Sequence, residues 1–256
     1  MSFKKWDKKN IVFGNLQDEK VKNCYHARME KQIKNKLMTY LSGFLSDERK
    51  ALIVKNLHGR TRYVTVVLED IYQSHNAGAI MRTCDALGVQ DMHCIEKRNG
   101  IVVKRDIARG SSKWLTLKRY NGVDSHINTS LDCIKKLKES GYKVVAMSPH
   151  ATKTVAQLSL DTKIAFLFGT EETGLTQDAM DASDELVAIP MYGFVESFNV
   201  SVAVALCLYD ITHRLYASTV NWGLSDDEKH DLQLDWMRAS LEHVEILERE
   251  FLRSCQ

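Results

Sequence analysis

Only two prolines, Pro149 and Pro190, interrupt 256 residues, so long helices can run unbroken and each proline marks a specific turn. No apolar stretch approaches the roughly 20 residues that a membrane helix needs. The opening MSFKKWDKK also lacks the apolar core of a signal peptide, so a cytoplasmic protein without a membrane partner is expected. Six cysteines (Cys24, Cys84, Cys94, Cys133, Cys207, Cys255) are scattered, with no C-x-x-C pair and no His-x-x-x-His to complete a metal site. Free, mostly buried thiols and no metal are expected. There is no internal repeat and no low-complexity segment, and a 44% apolar composition supports one sizeable core, with or without helical appendages.

Net charge is small, +2, but unevenly placed. Residues 1–40 carry ten Lys/Arg against four Asp/Glu, whereas residues 224–256 carry four against nine. The acidic end reads as a solvated helix face. At the basic end, Lys4, Lys5, Lys8 and Lys9 around Trp6 suit either an arm that neutralises phosphates or a solubilising tail.

Hydrophobic spacing divides the chain into three regions. Residues 1–62 read as a helical extension, because Met29, Ile33, Leu37, Tyr40, Leu41 and Phe44 recur at helical spacing up to a break at Gly43, and a second helix spans Asp47 to Leu57. Residues 63–217 alternate strand and helix, the pattern of an α/β sheet. Its strands are YVTVVLED, MHCIEK, LTLKRY, YKVVAMS, IAFLFG and ELVAIPM; its helices are AGAIMRTCDALG, SLDCIKKLKESG and a segment from about Asn199 to Tyr216. The run SVAVALCL is apolar on nearly every side and predicts a buried helix, with Ser201, Ala203 and Ala205 allowing close approach of the sheet or of another subunit. Residues 218–256 form a tail, with one amphipathic helix expected from Asp226 to Phe251 through Leu232, Trp236, Leu241, Val244 and Leu247.

Three segments place polar residues at strand ends, where open α/β sheets put ligand sites. In Glu69–Gly88, His75 and Asn76 are expected just before a helix, with Arg82 six residues on; taken alone, a capped helix with one exposed arginine explains this. The segment lacks the G-x-G-x-x-G spacing of a dinucleotide-binding turn, which argues against a Rossmann-type methyltransferase or dehydrogenase. In FLFGTEETGLT, Gly169 and Gly174 bracket Glu171, so backbone can approach a ligand while a carboxylate is held at the strand end. In IPMYGFVESFNVSVAVAL, Pro190 and Gly193 shape a loop that is unusually apolar, and capping explains one of Ser197 and Asn199 but not both. A ligand or subunit contact is expected there.

In this order and spacing, Asn76 with Arg82, then G-x-E at Gly169–Glu171, then P-M-x-G-x-x-x-S-x-N from Pro190 to Asn199 resemble the three motifs of the SpoU branch of the SPOUT methyltransferases. The likeness covers Tyr63 to Tyr216. Within the branch, LEDIYQSHNAGAIMRTCDALGVQ and the ARGSSKWL segment from Ala108 are most similar to the TrmH subgroup, which methylates the ribose of the D-loop guanosine at tRNA position 18. The resemblance implies an α/β SPOUT-type sheet with a C-terminal trefoil knot, flanked by N- and C-terminal helices, acting as a homodimer. It implies S-adenosyl-L-methionine in a cleft formed by Met147, Gly169, Ile189 and Phe198, tRNA as substrate, and a catalytic set of Arg82, Asn76, Glu171, Ser197 and Asn199. His75, Arg105, Arg109 and Lys113 are the expected RNA-binding residues, each also readable as an ordinary surface residue.

The family assigns Arg82 the activation of the 2′-hydroxyl. An arginine side chain holds its proton far above neutrality, which makes a neutral guanidine scarce near pH 7, so an orienting, alkoxide-stabilising cation is the first reading and a literal base the second. Two other functions remain open: a SpoU-type enzyme for ribosomal RNA, whose relatives often carry an N-terminal α/β domain that residues 1–62 do not resemble, and a non-catalytic RNA-binding dimer.

Overall fold

The computed structural model describes residues 19–71, 73–97, 110–121 and 128–254, with side chains from residue 31 onward. The described residues fall in two compact units, one drawn from the segments up to Lys50 and from Ser240 on, the other spanning Ala51–Ala239. Among these residues, no helix is long and apolar enough to cross a membrane.

In the first unit, α1 (Glu19–Ser42) presents Leu37 and Leu41 as buried positions, while Ile33 and Phe44 of the same expected apolar face are exposed. Tyr40 packs its ring 5.6 Å from that of Phe251, and Tyr40 Oη donates to Glu250 Oε2 at 3.4 Å. The helix α2 (Asp47–Leu57), whose residues from Ala51 on belong to the second unit, has the predicted bounds. Its first turn carries Asp47 and Glu48 and its last turn Lys55, charges that complement the helix dipole.

The second unit is built on a six-stranded sheet of order β3-β2-β1-β5-β4-β6, every pair parallel. The strands are β1 (Val64–Glu69), β2 (Asp91–Glu96), β3 (Thr116–Asn121), β4 (Tyr142–Met147), β5 (Lys163–Phe168) and β6 (Glu185–Val187). Every residue of β1 and β2 is buried, as expected where helices cover both faces of a parallel sheet. One face packs Val64, Val66, Leu68, Met92 and Phe166 against α3 (Ser74–Ala86) and α6 (Val200–Tyr216). The other packs Val67, Ile95, Val144 and Leu167 against α4 (Thr129–Glu139) and α5 (Gln177–Asp181). The unit closes with α7 (Asp226–Ser240), whose Trp236 donates from Nε1 to the Trp114 carbonyl at 3.0 Å. The four described cysteines, Cys84, Cys94, Cys133 and Cys207, are buried free thiols.

The structure corrects several expectations. The tail is not one helix: α7 stops at Ser240 and α8 (Val244–Ser254) starts anew, because His243 adopts φ 54°, a left-handed conformation that no helix continues through. The strand expected over ELVAIPM ends at Val187, since the chain beyond it pairs with the loop after β4, where Ala188 donates to the Lys153 carbonyl and Val155 to the Ala188 carbonyl. The helix α6 is not buried all round. Val204, Cys207, Leu208 and Ile211 face the core, but Val202, Leu206 and Tyr209 are exposed.

At the amino end of β2, Asp91 accepts from Arg62 Nε at 3.0 Å and Lys118 Nζ at 2.8 Å, which together outweigh burial and hold its carboxyl below the usual range. Next to it, burial and the Lys118 charge push His93 down to about 4. An imidazole that stays neutral in the fold but protonates in the unfolded chain favours unfolding as pH falls from about 6.5 to about 4, an effect of about 3 kcal/mol at a site only 3% exposed. Thermal melts should therefore drop across that window, and His93→Phe should flatten the drop. An unchanged acid limb in the variant would assign the drop to other groups.

Candidate active site at the carboxyl edge of the sheet

Parallel strands deliver their carboxyl ends to one edge, and the three motif segments follow directly from β1, β5 and β6. His75 and Asn76 do not precede α3 but form its first turn, behind the N-cap residue Gln73. This turns Asn76 inward, to 8% exposure, rather than leaving it as a cap. Asn76 Nδ2 donates to Gln73 Oε1 at 2.9 Å and to Glu171 Oε1 at 3.2 Å.

Asn199 caps α6, accepting from the Ser201 amide at 2.9 Å, while its Nδ2 donates to Asn76 Oδ1 at 3.2 Å and to Glu171 Oε1. The Val200 amide donates to the same Glu171 oxygen at 3.3 Å. One carboxylate oxygen thus ties together the beginnings of two helices that are 123 residues apart. Glu171 Oε2 has no hydrogen-bond partner among the described residues, and Glu171 lines a shallow depression with Ile71, Gln73, Asn76, Thr170, Glu172 and Val200. Such an oxygen is available to accept from a ligand hydroxyl.

The loop that carries Glu171 is rigid by construction. Thr170 and Gly174 exchange backbone hydrogen bonds of 3.2 and 3.0 Å, and the Thr173 amide donates to Thr170 Oγ1 at 3.1 Å. Gly174 has φ +67°, and a Cβ on Gly169 would lie 2.2 Å from Gly174 backbone atoms. Glycine at 169 is therefore demanded by the chain's own close approach.

Met147, Gly169 and Ile189 lie at or just beyond the carboxyl ends of the adjacent strands β4, β5 and β6. Met147 and Ile189 are half-buried and pack on the core, with Met147 Sδ 3.9 Å from Cys207 Sγ. Phe198 is 36% exposed at the end of the apolar loop. These surroundings, half-buried apolar side chains at neighbouring strand ends, fit an adenine-bearing ligand.

Arg82 and Ser197 are not drawn into the junction. Both are exposed and make no hydrogen bond or ion pair among the described residues. His75 is exposed at the carboxyl edge, whereas Lys113, just before β3, lies toward the amino edge, where neighbouring Trp114 is bonded to Gln90. The two residues expected together on RNA are thus at opposite edges of one chain. Arg105 and Arg109 lie outside the described residues, as does the lysine-rich start around Trp6. No group of three His, Cys, Asp or Glu side chains that could hold a metal occurs among the described residues.

Two residues of the site were missed in the sequence: Gln73, which accepts from Asn76, and Glu69, which fastens the loop after β5. Glu69 had a legible signal, a carboxylate ending a strand otherwise entirely apolar or β-branched, which requires partners once buried.

Residues 63–209 match the SpoU rRNA Methylase family. The chain is 41% identical over 209 residues to a tRNA (guanosine(18)-2′-O)-methyltransferase of Borreliella burgdorferi, covering 81% of this chain and 93% of the relative. The A. aeolicus TrmH/SpoU tRNA modifying enzyme superposes with a TM-score of 0.67 at 23% identity, over 77% of this chain and 98% of that one. The SpoU methyltransferase AviRb of Streptomyces viridochromogenes, solved in complex with AdoMet, superposes with a TM-score of 0.51 at 22% identity, over 64% and 62% of the two chains. With its three motifs gathered at one edge of a parallel sheet and a family match over more than half its length, the chain belongs to the SpoU/TrmH methylase family.

Proposed function

We propose that the protein methylates the ribose 2′-hydroxyl of guanosine 18 in the D-loop of tRNA, with S-adenosyl-L-methionine as donor. The observation that carries this reading is the Asn76–Glu171–Asn199 junction, which leaves one Glu171 oxygen without a described partner at the carboxyl edge of the sheet. Met147, Gly169, Ile189 and Phe198 are the residues that would hold the cofactor. When bound, it supplies an electrophilic methyl group.

The rest of the task is positioning and charge stabilisation, which this chain's residues provide. Asn76 and Asn199 fix Glu171, whose Oε2 accepts from a ribose hydroxyl. Arg82, a cation that no described carboxylate neutralises, orients the 2′-oxygen and stabilises the negative charge that develops as its proton leaves. Ser197 donates to the ribose or its phosphate. His75, Lys113, Arg105 and Arg109 contact the RNA backbone, with residues 1–62 as a further contact and residues 218–256 as a helical tail.

The reading includes a trefoil knot around the C-terminal part of the sheet. Its support is that the segment beyond β6 runs against the loop leaving β4, through Ser148, Lys153 and Val155. It also includes a homodimer, since Tyr192, Phe194, Val195, Phe198, Val202, Leu206 and Tyr209 form an exposed apolar face that water disfavours. In a dimer, a second subunit would bring the RNA-binding residues of both sheet edges onto one substrate.

Incubation with labelled S-adenosylmethionine tests the substrate class. Unmodified tRNA should accept label and ribosomal RNA should not, with tRNA binding that weakens steeply as salt rises. Label in ribosomal RNA alone, or salt-independent affinity, contradicts the assignment.

A further inference from the structure

Behind the junction lies a second polar cluster, centred on Glu69 at the end of β1. The Glu69 carboxylate is 2% exposed and takes donors from three other segments. Oε2 accepts from the Thr176 amide at 2.8 Å; Oε1 accepts from Thr176 Oγ1 at 2.8 Å, from Lys97 Nζ at 3.0 Å and from Ser130 Oγ. Burial alone would raise its pKa, but these donors outweigh it and hold the carboxyl below the usual range. The next residue, Asp70, adopts φ 58° and accepts from the Lys97 amide at 2.8 Å, so the chain leaves β1 through a conformation that costs about 1 kcal/mol or more.

Thr176 is the far end of the loop that carries Glu171. The backbone of that loop is bonded to itself, through Thr170 with Gly174 and through Gly169 against the Gly174 backbone, while Glu171 Oε1 is held by Asn76, Asn199 and the Val200 amide, so the two ends of the loop set where Oε2 stands relative to those partners. Strand β5, paired on both sides, holds the near end. Glu69 holds the other with two hydrogen bonds to one residue.

We propose that Glu69 is a positioning residue of the methyl-transfer site, acting through Thr176 to set where Glu171 Oε2 stands. The proposal rests on the reading of the Asn76–Glu171–Asn199 junction as that site. Glu69 touches neither substrate nor cofactor in this account. Its effect is geometric, and a displacement of about 1 Å at a reacting group can cost on the order of 100-fold in rate.

The experiment compares the full-length chain with Glu69→Gln, Glu171→Gln and the double variant, measuring kcat, KM for tRNA and thermal unfolding. Glutamine keeps the volume but cannot accept from all four donors. Glu69→Gln should lower kcat about 30-fold with KM for tRNA within about 3-fold. In the Glu171→Gln background the same change should cost less than about 3-fold, because there is no longer a carboxylate to place. A residue that merely holds the fold would give losses that multiply, and that outcome, or an unchanged kcat in the single variant, overturns the proposal. Should Glu69→Gln fail to fold, Thr176→Val removes one of the two clamp bonds. Its loss of about 5-fold should vanish in the Glu171→Gln background, and a loss that persists there overturns the proposal equally. A wild-type chain that methylates no RNA would instead sink the reading of the site, a result visible before any variant is made.

Discussion

Arg82→Ala should reduce kcat about 1,000-fold while leaving the thermal unfolding curve where it was. The rate effect follows from removing the cation that, in the proposed reaction, stabilises developing negative charge, a contribution for which single-donor deletions cost about 100- to 1,000-fold. The unchanged stability follows from placement: Arg82 is exposed on α3 and bonds to no described residue, and substitutions at such sites usually move stability by less than about 0.5 kcal/mol. Arg82→Lys then separates the two roles. A forked guanidinium grip predicts less than about a tenth of wild-type activity with lysine, since an ammonium cannot reproduce two parallel donors. Substantial activity with lysine, growing as pH rises, would instead point to proton removal at this position.

Glu171→Ala should behave differently, losing rate and stability together. Its Oε1 accepts from Asn76 Nδ2, Asn199 Nδ2 and the Val200 amide, two of these residues being buried. Removing the acceptor strands several donors at once, for an expected loss of about 1–2 kcal/mol, because polar groups left unpaired out of water carry their desolvation cost. The rate should fall about 100-fold, as Oε2 disappears and Asn76 and Asn199 lose their common anchor. Steady-state kinetics with a denaturant titration measures both. A variant as stable as wild type would show that the junction does not hold the two helix starts together.

What could be read from the sequence tracked how local the physics was. Strand and helix positions followed from hydrophobic period: β1, β2 and β4 stand within a residue or two of their apolar runs, and Asp47–Leu57 was placed to the residue. Gly88 and Gly141 ended helices where expected, with φ of +74° and +81°. The break at His243 was invisible because neither glycine nor proline marks it. The exposed face of α6 was half legible, since eight apolar residues in a row show that burial is required without showing whether the sheet or another subunit supplies it. In the site, the motifs located Asn76, Glu171 and Asn199, but spacing alone could not show that all three meet at one carboxylate oxygen. Nor could it show that Arg82 and Ser197 stand apart from that meeting point. The Glu69 carboxylate signalled a need for partners, but which ones stayed hidden, because a hydrogen bond spanning 107 residues leaves no periodic trace; Gln73 lies only three residues before its partner Asn76, but no motif marks it.

The most direct test is to map the methyl group. After reaction with S-adenosylmethionine, unmodified tRNA should be digested and its nucleotides analysed by mass spectrometry. The account predicts a single 2′-O-methylguanosine, at position 18, absent when Arg82→Ala replaces the wild-type chain. Methylation of a base, or of a ribose elsewhere in the tRNA, would contradict it.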